Sequence, residues 1–168
     1  MGPVGRELLP TREEGQALVE FALVAPVILL VLTGICSLGI AMNQYELLTY
    51  GTGDGARAFA LSRGQASWSP TTASDPCEYT YDTAMAAMPT LNASNLTMTI
   101  TFTPPSGSDH TAKTWSNVST TSGCSGFTLD GTDINGSIQV QTTYPVLPVI
   151  WGHAMSLNLT ANTAQQIQ

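Results

Sequence analysis

Residues able to carry out acid–base or metal chemistry are sparse in this sequence of 168 residues. The two histidines, His110 and His153, each stand alone along the chain. No carboxylate pair, Ser-His-Asp set or Cys-His set can be assembled with any specificity. The sequence therefore predicts a protein that is not an enzyme and that needs neither a cofactor nor a metal.

One acidic segment, Asp130–Gly136 (DGTDING), resembles part of a calcium loop. In an EF-hand register, however, the first ligand position is Gly131, and the twelfth is Thr142 where a glutamate is needed. A turn is therefore the favoured interpretation of residues 130–136, and calcium binding is the less favoured one.

The three cysteines fall into two settings. Cys36 lies inside an apolar run, where a thiol behaves as a small hydrophobic group. Cys77 and Cys124 lie in a polar region, and they are the expected disulfide if that region faces an oxidising compartment. Two free thiols are the alternative, whereas neither cysteine has a partner at zinc-ligand spacing.

A lone carboxylate, Glu20, stands at the start of the most apolar part of the chain, which extends to Met42. Ala22–Met42 carries no charge. As a helix it would be about 31 Å long, close to the roughly 30 Å hydrocarbon core of a bilayer. A retained transmembrane helix is preferred to a secretory signal peptide, because the apolar core of such a peptide is usually about 7–15 residues long.

Charge placement gives this helix a direction. Arg6 and Arg12 precede the apolar run in a leader rich in prolines and mixed charges, which is predicted to be disordered, and no further Lys or Arg occurs before Arg57. The positive-inside bias places the N-terminus in the cytoplasm and the remainder outside it, as a single-pass protein of the cell membrane. The net charge of −7 argues against nucleic-acid binding.

The region after the membrane helix predicts an α+β domain. Residues 43–64 read as a helical extension, with a bend or break expected near Gly51–Gly55. A short helix is predicted over Asp82–Met88, capped by Asp82 and stopped by Pro89. The sequence is thus predicted to consist of a leader (1–15), a membrane helix (16–42), its extension (43–64) and an extracytoplasmic domain (65–168).

Period-two alternation predicts an antiparallel sheet packed on the helix. Clear strands are expected around Leu96–Phe102, Ile138–Tyr144 and Met155–Ala161, with Pro145 and Pro148 ending the second. Trp115–Thr121 and Cys124–Leu129 are weaker strand candidates. One face of the sheet would cover the helix, and the threonine-rich face would meet water or a partner.

The stretch GQALVEFALVAPVILLVLTGI, Gly15–Ile35, resembles the N-terminal motif of the TadE-like family, type IVb pseudopilins of tight adherence (Flp) pilus assembly. GDGARAFAL, Gly53–Leu61, is similar to the segment that follows the helix in that family, whose motif here is Gly55, Ala56 and Arg57. VQTTYPVLPV, Val140–Val149, is a looser match. The specific part of the resemblance covers roughly Gly15–Leu61, and it implies a pilin-like fold.

The resemblance also implies processing. Type IV prepilins are cut after a glycine by a membrane peptidase, with glutamate at the fifth mature position and an aromatic residue after it in Flp-like members. Here the cut would fall between Gly15 and Gln16, and Glu20 and Phe21 would take those two positions. An uncleaved anchor is the alternative, because cleavage is not general among TadE-like proteins. The implied partners are other pilin or pseudopilin subunits, the prepilin peptidase, an inner-membrane assembly platform and membrane lipid.

These observations lead to two functional hypotheses. In the first, the protein is a minor pseudopilin of a tight adherence pilus or related secretion filament, in which a new ammonium at Gln16 pairs with Glu20. In the second, it is a permanently anchored extracytoplasmic binding or surface domain, and Glu20 is merely solvated at the headgroup level.

Overall fold

A computed structural model describes residues 12–62, 75–120, 123–124, 127, 129–146, 149–150, 153–154 and 156–168. Helix α1 (Arg12–Leu61) comprises 50 residues, about 75 Å at the usual helical rise. It runs without interruption through Pro26 and through the glycines near residue 51. Helix thus begins inside the leader that was expected to be disordered up to Gly15, and residues 1–11 lie outside the described part of the chain.

The expected break at Gly51–Gly55 is wrong, because a second helix packs against this part of α1. A Cβ atom added at Gly51 would lie 2.9 Å from the carbonyl oxygen of Ala84, and one at Gly55 would lie 3.1 Å from that of Thr80. Two of the glycines therefore give close helix contact while the helix continues. Gly53 faces open space.

Helix α2 (Pro76–Ala87) begins earlier than predicted. Its cap is Asp75 rather than Asp82, and the Asp75 Oδ1 atom accepts a hydrogen bond from the Glu78 amide at 2.9 Å. An aspartate followed by a proline at the first helical position is a favourable start, since proline lacks the amide proton that would be unsatisfied there. Met88 follows the last helical residue, so the helix ends before Pro89 as predicted.

The main sheet has four antiparallel strands in the order β2-β1-β3-β6. The strands of this sheet are β1 (Thr97–Thr103), β2 (Lys113–Ser116), β3 (Ser137–Val146) and β6 (Leu157–Gln166). A separate two-stranded pair joins β4 (Val149–Ile150) to β5 (His153–Ala154). Single 3-10 turns precede β1 and β3, at Ala93–Asn95 and Gly131–Asp133.

Four strand predictions need correction. Strand β6 continues past the predicted end at Ala161 to Gln166, and within the described part of the weak candidate Trp115–Thr121 only Trp115 and Ser116 lie in a strand, β2.

Strand β3 continues through Pro145. The first residue of β1, Thr97, pairs with Thr143, so Pro145 lies beyond β1 and has one strand neighbour, Asn158 on β6, which leaves room for a residue without an amide proton. The segment Cys124–Leu129 was a weak strand candidate, and none of its described residues is in a strand.

The core lies between the sheet and the second half of α1. Ile100 and Val140 are paired across β1 and β3 and are fully buried. The hydroxyl of Thr52 on α1 forms a short hydrogen bond to that of Thr142 on β3, also fully buried. The side chains of β3 that alternate with the buried ones lie on the opposite face of the sheet, where they are exposed or, at Thr143, half-buried. The fold is therefore α+β, a long N-terminal apolar helix followed by a short helix and an antiparallel sheet, as predicted.

Candidate membrane and assembly site

The proximal half of α1 (residues 15–40) has no buried residue, and apolar side chains cover its surface. Leu23 is 73% exposed and Leu29 is 60% exposed, although both would be buried in an ordinary soluble core. The most apolar window of α1 has none of its residues buried against the protein. Within the described residues, α1 is the one helix long and apolar enough to cross a membrane.

The N-terminal end of this proximal half holds the four residues singled out in the sequence. Gly15, Gln16, Glu20 and Phe21 all lie on α1, and all are exposed. The Gln16 side-chain amide donates a hydrogen bond to Glu20 Oε1 at 3.2 Å, one helical turn away. The helix therefore holds residue 16 beside the lone carboxylate, and Phe21, 68% exposed, lies next to it in the chain.

The polar and small residues inside the apolar run are compatible with a medium without water. The Thr33 hydroxyl donates within its own helix, to the carbonyl oxygens of Leu29 at 2.9 Å and Leu30 at 3.0 Å. Such a bond leaves no polar group unsatisfied in lipid. Gly34 and Gly39 would meet nothing within 4 Å if a Cβ atom were added, so the domain itself does not require them to be glycine.

The family motif residues lie in the second half of α1 and do different things. Gly55 contacts α2 through the close approach described above, and Ala56 is fully buried in the core. Arg57 points outward and lies 3.5 Å from the Asp54 carboxylate in an exposed ion pair. An exposed pair of this kind contributes little to stability, so Arg57 is the motif residue available to other molecules.

The structure joins Cys77 and Cys124 in a disulfide, with their Cα atoms 5.4 Å apart. The bond links the first turn of α2 to the segment that follows β2. Both cysteines are buried. The Asp75 carboxylate lies close to these sulfurs, but sulfurs in a disulfide are not free to act as metal ligands.

The calcium-like segment folds as a turn. Asp130 caps the 3-10 turn by accepting hydrogen bonds from the amide and the hydroxyl of Thr132, both at 2.7 Å. These bonds hold the pKa of Asp130 below its usual value, with a smaller contribution from His110. Thr142, the twelfth position of the hypothetical loop, lies in β3 with its hydroxyl bonded to Thr52. The turn interpretation is confirmed.

Sequence reasoning missed a contact between this turn and the loop after β1. Asp133 is fully buried, and its carboxylate lies 2.9 Å from His110 Nδ1 and accepts a bond from the Ser108 hydroxyl at 2.8 Å. The groups are 23 or more residues apart, so no local pattern signals their contact. His110, Asp130 and Asp133 lie close enough to hold an ion. Both Asp133 oxygens are already engaged by hydrogen bonds, however, which marks a structural clamp.

Together these features define a class of protein: a small α+β domain built on the distal half of a helix whose proximal half is an exposed apolar rod. The model of the TadE-like protein family matches residues 15–57, about a quarter of the chain. The resemblance to TadE-like proteins is thereby confirmed over this segment of α1. No curated protein and no solved structure matches the chain.

Proposed function

We propose that this protein is a minor, non-enzymatic pseudopilin that acts through α1 in the assembly of a tight adherence type IVb pilus or a related secretion filament. The observation that carries the proposal is the exposure of the proximal half of α1 (residues 15–40). It is apolar and uncovered by its own domain, and between Gly15 and Met42 it carries a single acid, Glu20. Such a rod is suited first to lipid and then to the core of a helical assembly.

The position of Glu20 supports a role in pairing helices. A carboxylate at the end of an apolar helix is costly to bury unless a cation or donor accompanies it. Gln16 already lies within hydrogen-bond distance of Glu20 through its side chain. Cleavage after Gly15 would give residue 16 a free ammonium, which would neutralise Glu20 of the same or a neighbouring subunit and fix the stagger between helices.

The match to TadE-like proteins supports the remaining parts of the proposal. The N-terminus lies in the cytoplasm, and the domain beyond the membrane helix is extracytoplasmic. The partners are other pilin or pseudopilin subunits, a prepilin peptidase that cuts between Gly15 and Gln16, an inner-membrane assembly platform and membrane lipid.

N-terminal sequencing of the mature protein from its native membrane tests the processing step. A start at Gln16 is expected. A start at Met1, with the protein stably inserted, would instead support the alternative of a permanently anchored binding or surface domain.

Substitution of Glu20 tests the assembly step, and α1 provides a matched control. Glu20→Ala is expected to reduce incorporation into the filament at least tenfold, with normal membrane insertion and normal domain folding. Glu46→Ala removes another exposed acid of the same helix, beyond the apolar run, and is expected to leave incorporation unchanged. Equal incorporation of both variants would refute the charge pairing.

A further inference from the structure

The two edges of the main sheet differ in how well they are protected. Edge strand β2 has four residues and carries a lysine, Lys113. Edge strand β6 has ten residues, LNLTANTAQQ, with no charge, proline or glycine. Soluble proteins usually protect a long edge with such residues, because its free backbone groups can pair with another strand. Among the described residues, no strand pairs with the outer side of β6.

The backbone bonds at the end of β6 show which of its groups are free. The Ile167 amide donates to the Gly136 carbonyl oxygen and the Ile167 carbonyl accepts from the Asn135 amide, each at 2.9 Å, so both groups point toward the β3 side. Alternate residues of an antiparallel strand point the same way. The residues whose backbone groups point to the open edge are therefore Asn158, Thr160, Asn162, Ala164 and Gln166.

The direction of the anchor restricts what can pair with this edge. An antiparallel β6–β6 contact between two copies places a two-fold axis perpendicular to the sheet. Because α1 packs along the sheet, this axis would reverse one α1 relative to the other. Two such helices would not enter one membrane in the same sense. A lateral repeat of the sheet keeps every helix in the same direction.

Strand order makes such a repeat possible. With β2, β1, β3 and β6 successively antiparallel, β2 and β6 run in opposite directions. The β2 strand of a copy displaced sideways therefore lies antiparallel to β6, and both outer faces remain on the same side. Each copy then has one donor edge and one acceptor edge, and a contact of this kind extends without closing on itself.

We propose that the open edge of β6 binds the β2 edge of a second copy of this chain, which extends the sheet from one subunit to the next. This inference rests on the proposed membrane-anchored assembly. A stable soluble dimer buries at least about 1,200 Å². Because β2 has only four residues, the edge contact buries much less. The contact therefore depends on the anchors, which raise the effective concentration of one edge near the other.

Cysteine cross-linking of the full-length chain in its native membrane tests the geometry. In a Cys36→Ala background, Thr114→Cys places a thiol on β2, and Thr160→Cys places one on the same outer face of β6; both positions are exposed. With a short bismaleimide, the double variant is expected to give a ladder of dimers, trimers and larger species. Neither single variant is expected to give a dimer above background.

Other patterns would overturn the proposal. A dimer from Thr160→Cys alone would indicate a β6–β6 contact, and a cross-link to a different protein would identify another occupant of the edge. Co-purification of two differently tagged full-length copies reports association through α1 separately. Co-purification without a ladder would overturn the edge contact alone, whereas loss of both would count against the proposed function as well.

A charge placed on the edge provides the matched test. Asn162→Lys puts a lysine on β6, and Gln141→Lys puts one on its paired residue in the interior strand β3; both positions are exposed on the outer face. In the double-cysteine chain, Asn162→Lys is expected to reduce the ladder more than tenfold, and Gln141→Lys less than twofold. Equal reductions would show that the outer face, rather than the edge, makes the contact, and would overturn the proposal.

Discussion

The two halves of α1 are one continuous helix, yet they bury their apolar side chains to very different extents. In the proximal half, Leu18, Leu23 and Ile35 are 62–73% exposed. In the distal half, Leu48 and Phe59 are fully buried. Both halves carry glycines and a threonine that bonds to its own helix. The domain thus accounts for the buried residues of the distal half, whereas the apolar residues of the proximal half find no cover in their own domain.

The threonines show the same contrast on a smaller scale. Thr33 and Thr52 both donate to the carbonyl oxygen four residues earlier, at 2.9 Å and 2.6 Å. Of the two, only Thr52 also bonds outside its own helix, to the hydroxyl of Thr142 on β3. A hydroxyl that has partners only within its own helix can move from lipid into a bundle without breaking a bond. One bonded to a strand fixes the helix to its domain.

Replacing a phenylalanine in each half gives the largest expected difference. Phe59 packs against Trp115 and Phe127, with ring centroids 6.4 Å apart in both pairs. Phe59→Ala is expected to lower the free energy of unfolding by about 3–5 kcal/mol, because it leaves a cavity in the core. Phe21→Ala is expected to change it by less than about 0.5 kcal/mol, since that ring is exposed. Urea unfolding of the full chain in detergent, followed by near-UV circular dichroism, measures both.

The outcome for Phe21 has a second reading, in assembly. If the proximal half packs against other helices, Phe21→Ala lowers incorporation into the filament while domain stability is unchanged. A fall in domain stability equal to that of Phe59→Ala would contradict the division of α1 into two halves.

The cysteines extend the comparison. The disulfide closes a loop of 47 residues in sequence separation, for which chain entropy gives a stabilisation of about 2–4 kcal/mol. The double variant Cys77→Ala/Cys124→Ala is expected to lose that amount, and Cys36→Ala, in the exposed half, to lose none. Maleimide labelling of the denatured wild-type chain checks the pairing: one thiol reacts before reduction and all three after it. Three reactive thiols before reduction would contradict the disulfide.

Glycine substitutions give a smaller difference. A Cβ atom at Gly51 would lie 2.7 Å from the Met88 sulfur and 2.9 Å from a backbone oxygen of α2. Gly51→Ala is expected to destabilise the domain by about 1–2 kcal/mol, because overpacking outweighs the gain in helix propensity. Gly34→Ala meets open space and is expected to leave domain unfolding unchanged. Thermal midpoints of the two variants decide the point, and a stabilised Gly51→Ala variant would show that α2 does not pack there.

The predictable parts of the fold are those encoded by local pattern. A charge-free run of apolar residues predicts the first half of α1, and alternation predicts β1 and β3 with Ile100 and Val140 on the buried side. The continuity of α1 at Gly51 was not predictable in this way, because the helix that packs against it, α2, follows later in the chain.

The candidate site divides along the same line. Gly15, Gln16, Glu20 and Phe21 were assigned from the resemblance to TadE-like proteins, and the structure places Gln16 within hydrogen-bond distance of Glu20, one helical turn away. The clamp of His110 and Asp133 was missed, since two segments of different loops form it. The Asp75–Pro76 start of α2 was a local signal that the predicted start at Asp82 overlooked.

The smallest expected effect on stability comes from replacing one acid on α2, which packs on the distal half of α1, and one acid in the proximal half. Asp82 lies on α2, and burial raises its pKa above the usual value of an aspartate, with a smaller contribution from Glu78. A carboxyl group whose pKa is higher in the folded state favours folding at low pH and opposes it as the pH rises through that pKa. Asp82→Asn is therefore expected to stabilise the domain at about pH 7, by less than about 1 kcal/mol, and to give no gain near pH 3. Glu20→Gln, in the exposed half, is expected to leave the thermal midpoint unchanged at both pH values. An equal gain from Asp82→Asn at both pH values would assign the effect to the shape of the side chain rather than to its charge, because protonation already removes that charge at low pH.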